Sequence, residues 1–401
     1  MEALTSLQII GYVFLQFIPV WVGMLVIFAL SIMTKNRTGL YGRLFDSPIG
    51  MVGFALVLFW VLTAIFADAI MTHAPLETAS GMKNKLPGTP LRGAAEGDFQ
   101  WYLFGGDNLA RDVFSRMVAG SRIVLVIAPA ATLFAFMVGI TLGLPAGYFG
   151  GRADTILSFL ANLVLAFPVI LLFYLLVTPE IRAAGAEIRI WGGNIWVTSI
   201  PNILAAILFL FPILFLLILF QSRFFTRPML RNILIAGTLL VGAWMYSGLA
   251  FNADPLGLLG MDPNLLNIFV SVVFVNSPTV FRIVRGLALD IQTRDYVAAA
   301  QTRGEGPWYI MLWEILPNAR GPLIVDFCLR IGYTTILLGT LGFFGLGLSP
   351  ESPDWGSTIN EGRKLLTLYP YPALIPALAL MSMVLGLNLL ADGLREQSLK
   401  D

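Results

Sequence analysis

Long apolar runs alternate with short polar interruptions along this chain, and that spacing dictates most of its architecture. A bilayer hydrocarbon core of about 30 Å takes about 20 predominantly apolar residues per helix. About nine stretches meet this requirement, centred near Gln16, Leu58, Phe134, Val164, Phe209, Thr238, Val273, Leu337 and Leu378. The first, Ile9 to Met33, follows Glu2 rather than a basic leader and is too long for the apolar part of a signal peptide, so it is expected to stay in the mature chain.

Basic residues orient these helices. Lys35, Arg37 and Arg43 follow the first, Arg223, Arg227 and Arg231 separate the fifth from the sixth, and Arg282, Arg285, Arg294, Arg303 and Arg320 surround the polar stretch before the eighth. Cytoplasmic loops favour Lys and Arg, so the expected N-terminus is outside and the C-terminus, with Arg395 and Lys400, is cytoplasmic. Arg116 and Arg122 oppose the rule from the end of a long outer loop, residues 71–121, whose last part, Asp112 to Gly120, predicts a short amphipathic helix. Ser349 to Pro370, with its prolines, aromatic and charges, predicts a second outer loop. Internal repeats, low-complexity segments and a separate soluble domain are not evident.

The exception to the apolar pattern is Tyr296 to Asn318, YVAAAQTRGEGPWYIMLWEILPN. Ala298, Ala299 and Ala300 favour helix, whereas Gly304, Gly306 and Pro307 break it, so a short helix, a bend and a second helix are predicted. Trp308, Ile310, Met311, Trp313, Ile315 and Leu316 put an apolar strip on the second arm, and Pro317 stops it. Such a strip, exposed in a cytoplasmic loop, would dock a partner in a groove, or would lie on lipid as an interfacial helix.

Composition sharpens the class. Hydrophobic residues make up 57% of the 401 and charged residues 12%, with a mean hydropathy of +0.80, which is more apolar surface than one soluble core buries. The fold class is therefore an all-α polytopic membrane protein. A net charge of +1 without clustered basic residues argues against nucleic-acid binding. A single cysteine, Cys328, and a single histidine, His73, exclude an intramolecular disulfide, a Cys/His zinc site and paired-histidine haem ligation. Cys328 reads as a small packing residue and His73 as a resident of a wet loop. No phosphate-cradling GxxxxGK[ST] and no GxSxG nucleophile motif occurs, so no active site and no internal energy source is expected.

With those exclusions, the polar stretch resembles the coupling-helix signature of ABC importer permeases: EAA, three residues, Gly, nine residues, Ile, one residue, Leu-Pro. Ala299, Ala300, Gly304, Leu316 and Pro317 fall in register, while Ala298 replaces the usual glutamate and Glu314 the frequent isoleucine. Phe104 to Ile123, FGGDNLARDVFSRMVAGSRI, is similar to the LGTDxxGRDxxSRxxxGxRI segment of C-type permease subunits of dipeptide and oligopeptide importers, with Gly106 and Ala110 departing from Thr and Gly. Gly147 to Asp154, the AFP of Ala166 to Pro168, and Leu341 to Gly362 also resemble that group.

The resemblance implies a type I ABC importer transmembrane fold that moves peptides or related small solutes by alternating access. It implies a homologous B-type permease, two cytoplasmic ABC ATPases carrying ATP and Mg, and an extracytoplasmic substrate-binding protein, in a bacterial or archaeal cytoplasmic membrane. No cofactor would be bound by this chain. Residues 1–44 would be an extra N-terminal helix and linker, 45–178 the first part of the permease core, 179–262 an inserted helix pair, and 263–401 the second part, with a coupling loop at 286–320. The three extra helices would face lipid or bind a further subunit.

By the same resemblance Ala298, Ala299, Ala300, Arg303, Gly304, Trp308, Ile315, Leu316 and Pro317 would meet the ATPase. Asp107, Arg111, Asp112 and Trp355 would face a partner or the binding protein. Pro168 and Pro322 sit in apolar runs and permit kinks. Asp326 and Arg330, spaced i, i+4 in an apolar run, are either a self-neutralising structural pair or part of the pathway and its gate. Gly339 to Leu348 is expected to let helices approach closely. An ion-gradient-driven secondary transporter and a non-transporting scaffold are the rival readings.

Overall fold

A computed structural model describes residues 2–91, 99–177, 200–251, 263–346 and 352–398. Among them, eight helices are long and apolar enough to cross a membrane, and a bent pair makes up to a ninth, as the hydrophobic spacing requires. The principal helices are α1 Ser6–Gln16, α2 Ile18–Thr34, α3 Pro48–Ile65, α4 Val113–Phe149, α5 Gly151–Ala166, α6 Val169–Val177 and α7 Ile200–Leu208. They continue as α8 Leu210–Arg223, α9 Pro228–Phe251, α10 Pro263–Ile291, α11 Asp295–Thr302, α12 Arg320–Phe343, α13 Trp355–Arg363 and α14 Tyr371–Ser398. The expected turn at residues 349–351 and much of the connection around the inserted pair lie outside the described residues.

Three boundaries differ from expectation, each for a local reason. The first span is broken at Phe17, because Pro19 in the opening turn of α2 has no N–H to continue α1; α2 alone carries the crossing. Asp112 to Gly120 is not a separate helix: from Val113 it is the beginning of the 37-residue α4, about 55 Å long at 1.5 Å per residue. At the fourth span the chain does not merely kink at Pro168. Phe167 is extended, as the residue before proline must be, and α5 and α6 meet at 88°. Pro322, by contrast, lies in the first turn of α12, where a proline costs no hydrogen bond.

The chain forms two compact units. One comprises Met1–Pro129 with Ile324–Asp401. In it α3 and α14 pack at near-backbone distance: a Cβ on Gly53 would fall 2.2 Å from the Leu390 nitrogen. Lipid supplies no hydrophobic drive between helices, so close van der Waals approach at small residues takes its place. Trp355 anchors the same unit. It is 1% exposed, donates its indole N–H to the Met117 carbonyl at 2.8 Å and meets the Trp60 ring edge to face at 4.9 Å between centroids. Behind it Gly356 lies against Gly339 and Gly342, the use expected of that glycine-rich run. The start of the chain joins the loop between α3 and α4, with the Leu4 N–H bonded to the Gly88 carbonyl at 2.9 Å and Tyr12 stacked on Trp101. A short antiparallel strand pair, β1 Thr89–Pro90 with β2 Trp101–Tyr102, braces that loop.

The other unit is Ala130–Leu323. Gly139, Gly143 and Gly147 form a ridge, one per turn, along α4; a Cβ on any of them would fall within 3.0 Å of Val280, Val284, Ala288 or backbone of α10. The Arg285 guanidinium spans both carboxylate oxygens of Asp154, one of them at 2.6 Å, fixing α5 to α10. The inserted helices α8 and α9 form an antiparallel pair joined by a turn at 224–227, with outward faces of Leu and Ile.

Replacing Trp355 with Ala removes a buried aromatic and its hydrogen bond, and should destabilise the protein by about 3–5 kcal/mol. Chemical denaturation in detergent micelles, followed by tryptophan fluorescence, measures this directly, and a loss under about 1 kcal/mol would contradict the anchor.

Candidate functional site

The polar stretch folds as a helix, a bend and a second arm, each part traceable to its sequence. α11 ends in a Schellman motif: the Glu305 N–H reaches the Ala300 carbonyl at 3.2 Å and the Gly304 N–H reaches that of Gln301 at 2.9 Å, with Gly304 at φ +79°. That left-handed conformation costs an L-residue about 1–2 kcal/mol, which is why glycine stands there. Pro307 opens the second arm, Pro307–Tyr309, which winds as a π-helix over Ile310–Ile315 and closes with Leu316–Asn318. Pro317 neither donates to the Trp313 carbonyl nor leaves room beside it, and the π winding lies immediately ahead of it.

The apolar strip is not an exposed docking face. Ile310, Met311, Leu312 and Ile315 are buried within the chain itself, leaving Trp308, at 38%, as its largest exposed member. What the segment presents to solvent is its tip: Ala298, Ala299, Gln301 to Gly304, and Gly306 to Trp308. Four contacts hold that tip to its own unit. Arg303 pairs with Glu314 at 2.8 Å, Gln301 donates to the Tyr148 hydroxyl at 3.2 Å, the Trp313 indole donates to Ser222 at 3.1 Å, and Arg223 lies 4.8 Å above the Trp313 ring. Glu314, the departure from the frequent isoleucine, is thus the clasp between the two arms, and Ala298 leaves its exposed position without a carboxylate.

The segment 104–123 forms a buried charge network. Asp107 accepts from the Leu109 and Arg111 N–H groups and from the Arg111 guanidinium at 2.7 Å, and Arg111 also binds Glu361. Arg116, fully buried, donates to Thr358 at 3.0 Å and to the Ser352 carbonyl at 3.2 Å. Burial pushes the Glu361 carboxyl up, against the pull of Arg116 and Arg111. Asp107, Arg111, Asp112 and Trp355 are therefore enclosed by their own chain, and they shape the loop before α4 rather than face a partner with these side chains. Ala110 adopts φ +66° in the position where the similar segments carry glycine, and a side chain on Gly106 would run into the Met82 carbonyl.

His73 is not a resident of a wet loop. Its ring sits between Thr72 at 3.1 Å and the Phe99 carbonyl at 2.9 Å, and 3.5 Å from Asp112. Burial alone would lower its pKa, but the hydrogen bond and charge of Asp112 outweigh it and hold the imidazole above its ordinary value. Asp326 and Arg330 bond to each other at 2.6 Å on one face of α12, and Cys328 packs in an apolar cluster beside them. Two features had readable but overlooked signals: the i, i+4 glycine ridge on α4, and the pairing of Asp154, within the GYFGGRAD run, with a basic residue on α10. The burial of Arg116 had none, because its partners come from the far end of the chain.

Residues 139–398 match the family described as binding-protein-dependent transport system inner membrane component, and the chain belongs to that family. It is a multi-pass membrane protein and an ABC importer permease, a transport component rather than an enzyme. It is 30% identical over 301 residues to the glutathione transport system permease protein GsiD of Pectobacterium atrosepticum, covering 75% of this chain and 73% of that one. It is 27% identical over 357 residues to the dipeptide transport system permease protein DppC of Alkalihalophilus pseudofirmus, covering 89% and 87%. The probable D,D-dipeptide transport system permease protein DdpC of Escherichia coli is 26% identical over 361 residues, with 90% of each covered. The rival readings, a secondary transporter and a scaffold, give way to these matches.

Protonated His73 stabilises the loop between α3 and α4, and because its folded pKa is raised, that contribution is complete below the unfolded value of about 6.5 and disappears as pH rises through the folded value. Thermal unfolding should weaken upward through that window, and His73→Gln should flatten this component; an equal slope in both proteins would contradict the Asp112 pairing.

Proposed function

We propose that the exposed tip of Tyr296–Asn318 is where this permease receives an ABC ATPase. The observation that carries the reading is the construction of the tip: a Schellman-terminated helix and a proline-started arm, clasped by Arg303–Glu314, with polar and small residues, Pro307 and Trp308 outward and Ile310, Met311, Leu312 and Ile315 inward. Such a segment is stiff enough to transmit a displacement to α10 and α12, which flank it in the chain. ATP and Mg belong to the partner subunits, and ATPase closure would bias the pathway between inward and outward openings through its differential contacts with the two states.

The substrates are small peptides, a reading supported by relatives whose names record dipeptide, D,D-dipeptide and glutathione transport. A homologous B-type permease, two ATPases and an extracytoplasmic binding protein complete the importer. The density of Lys and Arg supports a cytoplasmic tip and an extracytoplasmic loop at residues 71–121. The core consists of 45–178 and 263–401, with residues 179–262 inserted between.

Gly304→Arg tests the docking. A Cβ at Gly304 has no neighbour within 4 Å, so the chain has room for the side chain, at a backbone cost of about 1–2 kcal/mol. The added arm projects from the tip. Peptide uptake driven by ATP should fall at least about 100-fold, equivalent to roughly 2.7 kcal/mol, while the permease still inserts and folds. Undiminished uptake would remove the assignment.

A further inference from the structure

A cavity of about 750 Å³ opens between the inserted pair α8–α9 and the coupling segment. Its walls are apolar: Leu217, Ile218, Phe225 and Leu239 from the insertion, and Pro307 and Trp308 from the second arm. Phe225 is 69% exposed and Leu239 50%, so the chain itself leaves them uncovered. The two walls are joined by the Trp313–Ser222 hydrogen bond and the stacking of Arg223 on Trp313, so the cavity is a formed feature of this unit and not a gap between sliding elements. Its volume falls in the range of roughly 300–1,000 Å³ that holds small ligands.

Charge is distributed unequally around it. Residues 200–251 contain Arg223, Arg227 and Arg231 and no Asp or Glu. Arg223 closes α8 next to the lining residue Ser222, Arg227 lies in the turn two residues past the lining residue Phe225, and Arg231 stands in the opening turn of α9, one turn before the lining residue Ile235. Arg223 is engaged with Trp313 and Arg231 with neighbouring Asn232, while the Arg227 side chain makes no hydrogen bond or ion pair among the described residues. Against them stands one acid in the lining, Glu305. A largely apolar chamber walled by a membrane-spanning helix pair, with three arginines close in the chain to its lining residues, matches an amphiphile with a hydrocarbon tail and an anionic head.

We propose that this cavity is a binding site for an anionic phospholipid, one acyl chain occupying the chamber and the phosphate headgroup lying on Arg227 and Arg231. The inserted pair then has a role neither purely lipid-facing nor subunit-binding: it forms a lipid-filled joint against one side of the tip, which contributes Gly304 and Gly306 to Trp308 to the wall. The site is defined by the walls and the arginines and does not require the ATPase to dock at that tip.

The assembled transporter is reconstituted in nanodiscs of equal phosphatidylcholine and phosphatidylglycerol, extracted into mild detergent, and its retained lipid weighed by native mass spectrometry. Wild type should retain phosphatidylglycerol over phosphatidylcholine by about fivefold or more, the scale of one basic residue at an anionic surface. The double variant Arg227→Gln/Arg231→Gln, at surface positions, should bring the ratio to parity, and Leu239→Trp should lower retention of both lipids by filling the chamber. Equal retention of the two lipids by wild type, an unchanged ratio in the double variant, or no retained lipid in a complex that still carries its ATPase would each overturn the proposal. The last result would mean that the ATPase, not lipid, covers the cavity.

Discussion

Hydrocarbon offers no solvent to an unpaired charge or an open peptide group, and the arrangement of this protein follows from that constraint. Its helices satisfy their own backbones and pack where glycine permits backbones to touch, as at Gly53 against α14 and along Gly139, Gly143 and Gly147 against α10. Three charges within or beside the apolar spans are each matched to an opposite charge: Asp326 to Arg330, Asp154 to Arg285 and Asp68 to Arg122. Arg122 engages Asp68 through two parallel hydrogen bonds of 2.7 Å, so a guanidinium in the opening turns of α4 is tied to the carboxylate beside α3.

Two polar regions are each tied together by charge. In one, Asp107, Arg111, Arg116 and Glu361 pin loop 104–112 to α13, which begins at the buried Trp355. Removing one partner would leave a buried charge uncompensated, so the network acts as a unit. In the other, the segment Tyr296–Asn318 hides its aliphatic residues and displays a small tip of polar residues and glycines with Trp308. An exposed aliphatic strip would bind lipid or other chains as readily as a partner; a tip of Gly304, Gly306 and polar side chains relies on fit.

The membrane plan was legible in the sequence because hydrocarbon thickness fixes helix length whatever the rest of the chain does. The bend at Gly304–Pro307 was legible for a similar reason, since few backbones tolerate that composition in a helix. What periodicity could not reveal was the side on which the Trp308–Leu316 strip lies, because a buried and an exposed apolar face have the same spacing. The break at Phe17 followed from Pro19, whose effect was hidden by a run apolar enough to read through it. The enclosure of His73, Asp107 and Arg116 rests on residues far away in sequence, such as Glu361, and local pattern carries no trace of such partners.

The central claim, that the tip of the coupling segment meets the ATPase, is tested most directly by proximity. In a Cys328→Ser background, Thr302→Cys at the tip and Leu368→Cys, an exposed residue of the turn before α14, each receive a photoactivatable cross-linker in native membranes. The account predicts an ATPase adduct from Thr302→Cys and none from Leu368→Cys. An ATPase adduct at Leu368→Cys with none at Thr302→Cys would contradict it.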